Sequence, residues 1–202
     1  MSPQRKERLN ELLANSGCKV QLVDPSNLDT YIHPDRPLHA AYQYLSETHK
    51  SDYLRTYFMH FHGGGYSDIK TPGGDWTKAF EDMNANENMV LNGYREVSPE
   101  AVAGDATVKS HWQEIPGNGA YIVRPNTEFT KEWYSRLLSV LDQKLDTLKQ
   151  FPATNPQATP ETSPGYPIAW TEILGNIFHP LIHDYRDRCL FTVPIPVFSG
   201  YR

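Results

Sequence analysis

The sequence has few cysteines, no long apolar run and no excess of basic charge. Two of its 202 residues are cysteines, and Cys18 and Cys189 lie too far apart for a typical zinc-ligand spacing. We interpret both as reduced thiols rather than as one disulfide. No apolar run approaches the roughly 18 residues that span a bilayer. The amphipathic start at Met1 lacks the apolar core of a signal peptide. We therefore expect a cytoplasmic protein with no membrane span.

Several classes of nucleotide and nucleic-acid binding are also disfavoured. The formal net charge of −5 gives the chain no overall attraction to nucleic acid, so we expect no such partner. The sequence contains neither GxxxxGK[ST] nor GxGxxG. Its glycine triplet, Gly63–Gly65, therefore lacks the lysine or the further glycine that those phosphate-binding loops need. This argues against a P-loop kinase and against a dinucleotide enzyme.

Strand and helix signals alternate along the chain. Apolar spacing and capping residues predict helices at 3–15, 46–61, 127–148 and 169–179, with a helical turn at 77–84. Shorter β-type runs predict strands at 18–23, 66–70, 89–97, 119–124 and 190–198. This order predicts an α/β fold, with one domain over 1–202 and a mixed, mainly parallel central sheet flanked by helices. The proline-rich stretch 152–167 is predicted to be a functional or mobile loop inside that domain.

The segment 49–70, HKSDYLRTYFMHFHGGGYSDIK, concentrates residues that can carry chemistry. On the predicted helix Asp52 and Arg55 share a face, whereas Lys50 points elsewhere. The glycine triplet then turns the chain back, and Asp68 follows at a strand end, where open α/β sheets bind ligands. A carboxylate there suits a divalent ion that holds a diphosphate. The alternative is a surface ion pair on a helix that ends at glycines.

The same segment resembles the pattern K-S-D-x-L-R, a spacer, and G-G-x-Y-x-D-x-D of a glycosyltransferase family with the GT-A fold. The family includes mannosyltransferases, capsular-polysaccharide sugar transferases and the glucosylating domains of large clostridial toxins. The matching residues are Lys50, Ser51, Asp52, Leu54, Arg55, Gly63, Gly64, Tyr66 and Asp68. Together with SDIK, the strings at 117–133 and 170–180 are most similar to a small glycosyltransferase domain with which large algal viruses decorate their capsid protein. A viral protein of this kind would work in the host cytoplasm.

The resemblance implies transfer of a sugar from a nucleoside diphosphate sugar, with UDP favoured, to a glycan or glycoprotein acceptor. It also implies Mn²⁺ or Mg²⁺ as a cofactor, with Asp68 as the metal ligand. The candidate donor-binding residues are Lys50, Asp52, Arg55, Gly64, Tyr66, Asp68, Lys70 and Trp170. The candidate catalytic residues are Asp52, Asn118 and Glu172.

Two of these residues keep a plainer interpretation. By resemblance Asn118 presents a polar group to the sugar, but between two glycines it also reads as a turn residue. Trp170 covers the donor or acceptor when the loop closes, or simply packs the start of a helix. The resemblance favours retention of the anomeric configuration, in which the leaving phosphate takes the acceptor proton. Inversion would need a protein base, for which the candidates are Glu172, Asp105 and Glu114.

The sequence departs from the family pattern in two places, the D-x-D motif and the N-terminal strand. Lys70 stands where the family has the second aspartate of D-x-D. Either Asp68 holds the metal with help from elsewhere, such as Asp75, His179 or His183, or Lys70 itself neutralises part of the diphosphate charge. The apolar first strand of a GT-A domain is missing, so the domain is a shortened variant or begins upstream. These departures leave an alternative function, a catalytically inactive GT-A-like domain that binds a nucleotide sugar or a carbohydrate.

Overall fold

Six α-helices and four β-strands form the regular structure of residues 1–199, the part of the chain that the computed structural model describes. The helices are α1 (Pro3–Asn15), α2 (Glu47–Phe61), α3 (Thr77–Ala85), α4 (Ala106–Ser110), α5 (Glu128–Gln150) and α6 (Gly175–Asp184). The strands are β1 (Gly64–Ser67), β2 (Leu91–Arg95), β3 (Pro116–Val123) and β4 (Cys189–Leu190). The fold is therefore α/β, as the sequence predicts.

The strands form one mixed sheet in the order β1-β3-β2-β4. Both β1 and β2 run antiparallel to β3, whereas β4 runs parallel to β2. A mixed sheet flanked by helices is confirmed, but the prediction that the sheet is mainly parallel is wrong. The reason lies in the connection from β2 to β3, where α4 packs against α6 instead of crossing the sheet. The chain therefore returns in the opposite direction.

The sheet buries apolar side chains on both of its faces. On one face it packs against α2, α5 and α6, with Tyr121, Trp133 and Phe178 fully buried between the layers. On the other face α3 brings Ala79 against Ile122. Tyr121 and Ile122 are neighbours in β3 and point to opposite faces, as the two-residue period of a strand requires. The sheet is thus the middle layer of three.

Helix α5 confirms the strongest helix prediction. The side chain of Thr127 caps it by accepting a hydrogen bond from the backbone N–H of Thr130 at 3.2 Å. Its apolar stripe is buried at Phe129, Trp133, Leu137, Leu141 and Leu148, and half-buried at Leu145. Among residues 1–199, no helix combines the length and the apolar character that a membrane crossing requires.

Several predicted elements take a different form. Residues 18–23 are irregular rather than a strand, since they find no neighbouring strand to pair with. The strand predicted at 66–70 runs instead over Gly64–Ser67, so the two glycines belong to it and residues 68–70 form the turn that follows it. Of the strand predicted at 190–198, only Leu190 belongs to a strand, as the last residue of β4. The remainder is irregular.

The last helix also differs from its prediction. It begins at Gly175 instead of 169 and continues through Pro180. Proline removes one helical hydrogen bond. However, Phe178 and Leu181 on either side are buried in the core, and tertiary packing of this kind sustains most protein helices. The two cysteines are both free thiols.

The proline-rich stretch 152–167 packs against the N-terminal end of α2. Tyr166 is buried, its hydroxyl lies 2.8 Å from Nδ1 of His49, and it accepts a hydrogen bond from the backbone N–H of Ser46 at 3.2 Å. At the other end of the stretch, the N–H of Thr48 donates to the carbonyl of Pro156 at 3.1 Å. The stretch is therefore a loop that hydrogen bonds hold against the start of α2.

We expect the substitution Tyr166→Phe to lower the free energy of unfolding by about 1–3 kcal/mol, because it removes the partner of the buried Ser46 N–H and leaves Nδ1 of His49 with the Ser46 hydroxyl alone. Urea unfolding followed by circular dichroism measures this. The matched control is Tyr44→Phe, which removes a hydroxyl from a half-buried tyrosine of the same region and should cost less than about 0.5 kcal/mol. Equal costs for the two variants would show that the Tyr166 hydroxyl does not anchor the loop.

Candidate functional site

Helix α2 directs one acidic and one basic side chain into the interior. Asp52 and Arg55 lie three residues apart on its inner face, where they are 6% and 7% exposed. Arg55 Nη2 donates to Asp52 Oδ1 at 3.3 Å. The helix begins after Ser46, whose hydroxyl accepts a hydrogen bond from the N–H of His49 at 3.2 Å. The two charges therefore form a buried pair, and the alternative of a surface pair is wrong.

A glycine turn after α2 brings the chain back along the sheet. Gly63 and Gly64 have φ angles of +65° and +83°, which glycine adopts without strain. A Cβ atom on Gly63 would also lie 2.4 Å from Cδ of Pro125, so the turn requires glycine there. The turn lets β1 pair with β3, with Tyr66 opposite Tyr121. Residues that directly follow β1 are thereby held beside β3.

Asp68 is the point at which the two halves of the sequence motif meet. Its N–H donates to the carbonyl of Gly119 at 2.8 Å. Its Oδ1 accepts hydrogen bonds from the hydroxyl of Tyr66 at 2.7 Å and from Arg55 Nη2 at 3.3 Å. Its Oδ2 accepts one from Lys70 Nζ at 2.7 Å. We call this group the Asp68 cluster; its members are Asp52, Arg55, Tyr66, Asp68 and Lys70.

Arg55 connects the cluster to strand β3. Its Nη1 donates to the carbonyl oxygen of Asn118 at 2.6 Å, and its guanidinium lies 4.2 Å from the centre of the Tyr66 ring. Burial lowers the pKa of Arg55. The neighbouring Tyr66 hydroxyl and the carboxylates of Asp68 and Asp52 outweigh this effect and raise the pKa above its ordinary value. The guanidinium is thus a fixed, permanently charged donor between helix and sheet.

The two carboxyl groups of the cluster have pKa values that move in opposite directions. Burial raises the pKa of Asp52 to about 6; Arg55 lowers it, and the charge of Asp68 raises it further. Burial also raises the pKa of Asp68, but Arg55 and Lys70 more than offset this, and the net pKa is lowered. At neutral pH Asp68 is firmly ionised, whereas Asp52 loses its proton only a little below that pH. Such pairs are typical of functional sites, although structural ion pairs produce them too.

The SDIK turn is arranged as an ion pair rather than as a group of metal ligands. The N–H of Lys70 donates to the carbonyl of Asp68 at 2.7 Å, and this tight turn folds the lysine side chain back onto the carboxylate. A divalent ion on Asp68 would have to displace that ammonium and share the carboxylate with Arg55. Residues 1–199 contain no group of three or more His, Cys, Asp or Glu side chains placed to hold an ion. The donor set as arranged does not fit Mn²⁺ or Mg²⁺, and metal binding by Asp68 stays a prediction.

The additional metal ligands proposed from sequence have partners elsewhere. Asp75 accepts a hydrogen bond from the N–H of Thr77 at 2.6 Å, at the start of α3. Nδ1 of His179 accepts one from the N–H of Ala103 at 2.9 Å. His183 packs its ring against that of His111, with ring centres 4.8 Å apart. None of these contacts involves the Asp68 cluster.

The remaining predicted donor residues are spread around the cluster. Nζ of Lys50 pairs with Glu47 at 2.9 Å on the outer side of α2, as its helical position predicts. Gly64 opens β1, where a Cβ atom would meet nothing within 4 Å. Trp170 is 50% exposed and stands on the surface. Asn118 reaches the cluster through its carbonyl. The structure therefore brings Asp52, Arg55, Tyr66, Asp68 and Lys70 together and leaves Lys50 and Trp170 outside.

The three candidate bases each have a structural role. Glu172 pairs with Lys144 at 2.7 Å and accepts a hydrogen bond from the N–H of Ala169 at 2.8 Å. Asp105 caps α4 by accepting from the N–H of Val108 at 3.0 Å, and Glu114 pairs with Arg186 at 3.5 Å. The proposed catalytic role of Glu172 stays a prediction.

Sequence reasoning missed three residues beside the cluster. A Cβ atom on Gly119 would lie 3.3 Å from Asp68 Oδ2 and 3.3 Å from the hydroxyl of Tyr94, so a side chain here would crowd both groups. Among residues 1–199 the buried hydroxyl of Tyr121 has no hydrogen-bond partner, and its ring stacks on that of Tyr66 with ring centres 5.6 Å apart. Gly119 and Tyr121 are two residues apart in β3, and this spacing predicts that they lie on the same face of the sheet. Their place opposite β1 depends on strand register, which the sequence does not reveal.

A cavity of about 360 Å³ lies next to the cluster, with Asn118 in its wall. Its other polar walls include Lys109, Thr171, Asn176 and His179. Thr171 Oγ1 donates to Asn176 Oδ1 at 2.8 Å, which leaves the amide nitrogen of Asn176 as a donor. The volume lies in the range of small-molecule sites, and the walls offer both donors and acceptors.

Comparisons of the chain with protein-family models, with curated proteins and with solved structures found no match. A functional assignment therefore depends on the geometry of the Asp68 cluster and on the motif resemblance.

Proposed function

We propose that the protein is a glycosyltransferase of the GT-A type that uses a nucleoside diphosphate sugar, with UDP favoured. One observation carries the proposal: the fold brings Asp52 and Arg55 from one motif block onto Asp68 from the other. These blocks are separated in sequence by the end of α2, the glycine turn and β1, and a chance likeness gives no reason for their charged side chains to pair. The convergence of charged, buried side chains at a strand end also supports a ligand site.

The chemistry of the transfer matches what the cluster offers. The bond from the anomeric carbon to the diphosphate breaks, and a bond to an acceptor hydroxyl forms. Negative charge grows on the leaving diphosphate, and Arg55 and Lys70 can stabilise it because they are positioned in advance. Asp52 and Arg55 together can bind sugar hydroxyls, since a carboxylate accepts and a guanidinium donates. In a retaining reaction the leaving phosphate accepts the acceptor proton, so no further protein base is needed.

The cavity beside Asn118 is the proposed place of the acceptor. It adjoins the cluster through this residue, whose carbonyl already holds Arg55. Hydroxyl-rich acceptors such as a glycan, or a glycan on a protein, match its mixture of donors and acceptors. Its position would bring an acceptor hydroxyl towards a sugar bound at Asp52 and Arg55.

A second candidate function is a domain that binds a nucleotide sugar or a carbohydrate without turnover. It is favoured by the engagement of Glu172, Asp105 and Glu114 in structural contacts, which leaves them committed to other partners. An inverting enzyme would lack a ready base, and a binding domain would need none.

Calorimetric titration and a product assay separate the two candidates. UDP, UDP-glucose, UDP-galactose, GDP-mannose and ATP would each be titrated into the purified protein, once in EDTA and once in Mn²⁺. Release of UDP or GDP would then be followed for every sugar nucleotide that binds. Binding with slow release is the result expected of a transferase, because water can replace the acceptor. Binding without release would support a domain that binds a nucleotide sugar. No binding by any UDP or GDP compound would overturn the transferase and leave only a domain that binds a carbohydrate.

A further inference from the structure

The strongest unexplained feature of the site is the cation that occupies the SDIK turn. Lys70 is a buried lysine, with a side chain that is 10% exposed, and its ammonium contacts the motif carboxylate directly. Lysine is rarely buried unless it is paired, so this position indicates a specific role. The Phe198 ring lies 4.8 Å from the ammonium and helps to shield it from water.

The charge of the turn is balanced without a metal. An aspartate at position 70 would give the cluster three carboxylates and one guanidinium, a net charge of −2, which a divalent cation would neutralise. With Lys70 the cluster holds Asp52, Asp68, Arg55 and Lys70, and its formal charge is zero. The replacement of aspartate by lysine changes the charge by +2, the charge of the missing ion.

We infer that the Lys70 ammonium takes the place of the divalent ion, so that the site binds the diphosphate of a nucleotide sugar without metal. The inference rests on the proposed function, since it concerns the donor of the same reaction. Lysine is a common phosphate ligand that acts as a point charge. The ammonium already stands on the Asp68 carboxylate where the metal is predicted to bind.

Strand β3 presents no side chain to the ion pair at residue 119. Residue 119 is glycine, and a Cβ atom there would lie 3.6 Å from Lys70 Nζ and 3.3 Å from Asp68 Oδ2. Any side chain at this position would therefore crowd the two groups that the diphosphate has to reach. Asp68 then acts as a positioning residue, because it holds the ammonium and the Arg55 guanidinium in fixed places for the phosphate oxygens.

The two schemes make opposite predictions for Asp68. If the carboxylate holds a metal, its neutral isostere should lose nucleotide binding. If instead it neutralises and positions two cations, Asp68→Asn leaves both cations present and should retain UDP binding within about tenfold. Lys70→Met, which keeps the length of the side chain without its charge, should weaken UDP binding at least tenfold; this estimate reflects the usual contribution of a charged hydrogen bond.

The deciding experiment is calorimetric titration of UDP into the full chain in EDTA and in Mn²⁺, for wild type, Lys70→Met, Lys70→Asp and Asp68→Asn. We expect wild type to bind equally in both buffers and Lys70→Asp, which restores D-x-D, to bind in Mn²⁺ alone. Lys78→Ala is the matched control, because Lys78 also pairs with an aspartate but its side chain is 75% exposed. Circular dichroism confirms the fold of each variant.

Each result bears on the inference separately from the function. Wild-type binding that requires Mn²⁺, or Lys70→Met binding as tightly as wild type, overturns the inference and leaves the proposed function standing. Loss of binding in Asp68→Asn with its fold intact also overturns it. Wild type that binds no UDP or GDP in either buffer overturns the proposed function, and the inference falls with it.

Discussion

The substitution Arg55→Ala is expected to abolish UDP binding and to lower the free energy of unfolding by about 3–5 kcal/mol near pH 7.5, the usual cost of breaking a buried ion pair. Arg55 bonds to Asp52, to Asp68 and to the carbonyl of Asn118. Alanine at this position removes the cation shared by the buried Asp52 and the half-buried Asp68, and Asp68 then keeps Lys70 as its cationic partner. Urea unfolding measures the stability, and calorimetry measures the binding.

Two further variants make this prediction specific. Arg136→Ala removes an arginine that pairs with Glu132 where both side chains are 42% exposed, and it should cost less than about 1 kcal/mol. Arg55→Lys keeps the charge but loses the bidentate geometry of the guanidinium, so we expect a folded protein that binds UDP more weakly than wild type. If Arg55→Ala costs no more than Arg136→Ala, the cluster does not hold the helix to the sheet.

The sequence predicted those parts of the fold that depend on local signals. The long helix α5 has a capping threonine, a regular apolar stripe and no internal proline, and each of these signals acts within a few residues. The sheet direction could not be predicted in the same way. It depends on whether α4 crosses the sheet or folds away from it, which is settled by packing against α6. The false strand at 18–23 fails for a similar reason, because a strand needs a partner that no local pattern supplies.

In the candidate site, too, only the features that depend on local signals could be predicted from the sequence. Helical spacing placed Asp52 and Arg55 on one face and Lys50 on another, and the structure has them so. The prediction that these residues act together with Asp68 came from the motif resemblance. Without a known family pattern, the sequence gives no reason to place two separate segments side by side. The salt bridge from Lys70 to Asp68 depends on a tight backbone turn. No side-chain pattern in SDIK predicts that turn.

The substitution Asp52→Asn is expected to stabilise the protein at high pH and to have no effect at low pH. The pKa of Asp52 is about 6 in the folded protein, against an ordinary value of 3.8. The folded state therefore holds this proton more tightly than the unfolded chain, and ionisation above pH 4 costs stability progressively up to pH 6. The difference corresponds to about 2–3 kcal/mol, all of it present above pH 6.5. Asparagine never ionises and so avoids this cost.

Urea unfolding of wild type and Asp52→Asn at pH 4.5, 5.5, 6.5 and 8 tests the sign of the effect. Asp146→Asn is the control, because its side chain is 90% exposed and its removal should change stability by less than about 0.5 kcal/mol at every pH. An effect of Asp52→Asn that is equal at all four values would show that the pKa of Asp52 does not differ between the folded and the unfolded protein. The same variant should bind UDP but lose any preference for UDP-sugars, because by resemblance Asp52 contacts the sugar and not the nucleotide. A carboxylate kept at a cost in stability, and needed for the sugar, is the pattern expected of a binding site rather than of a structural ion pair.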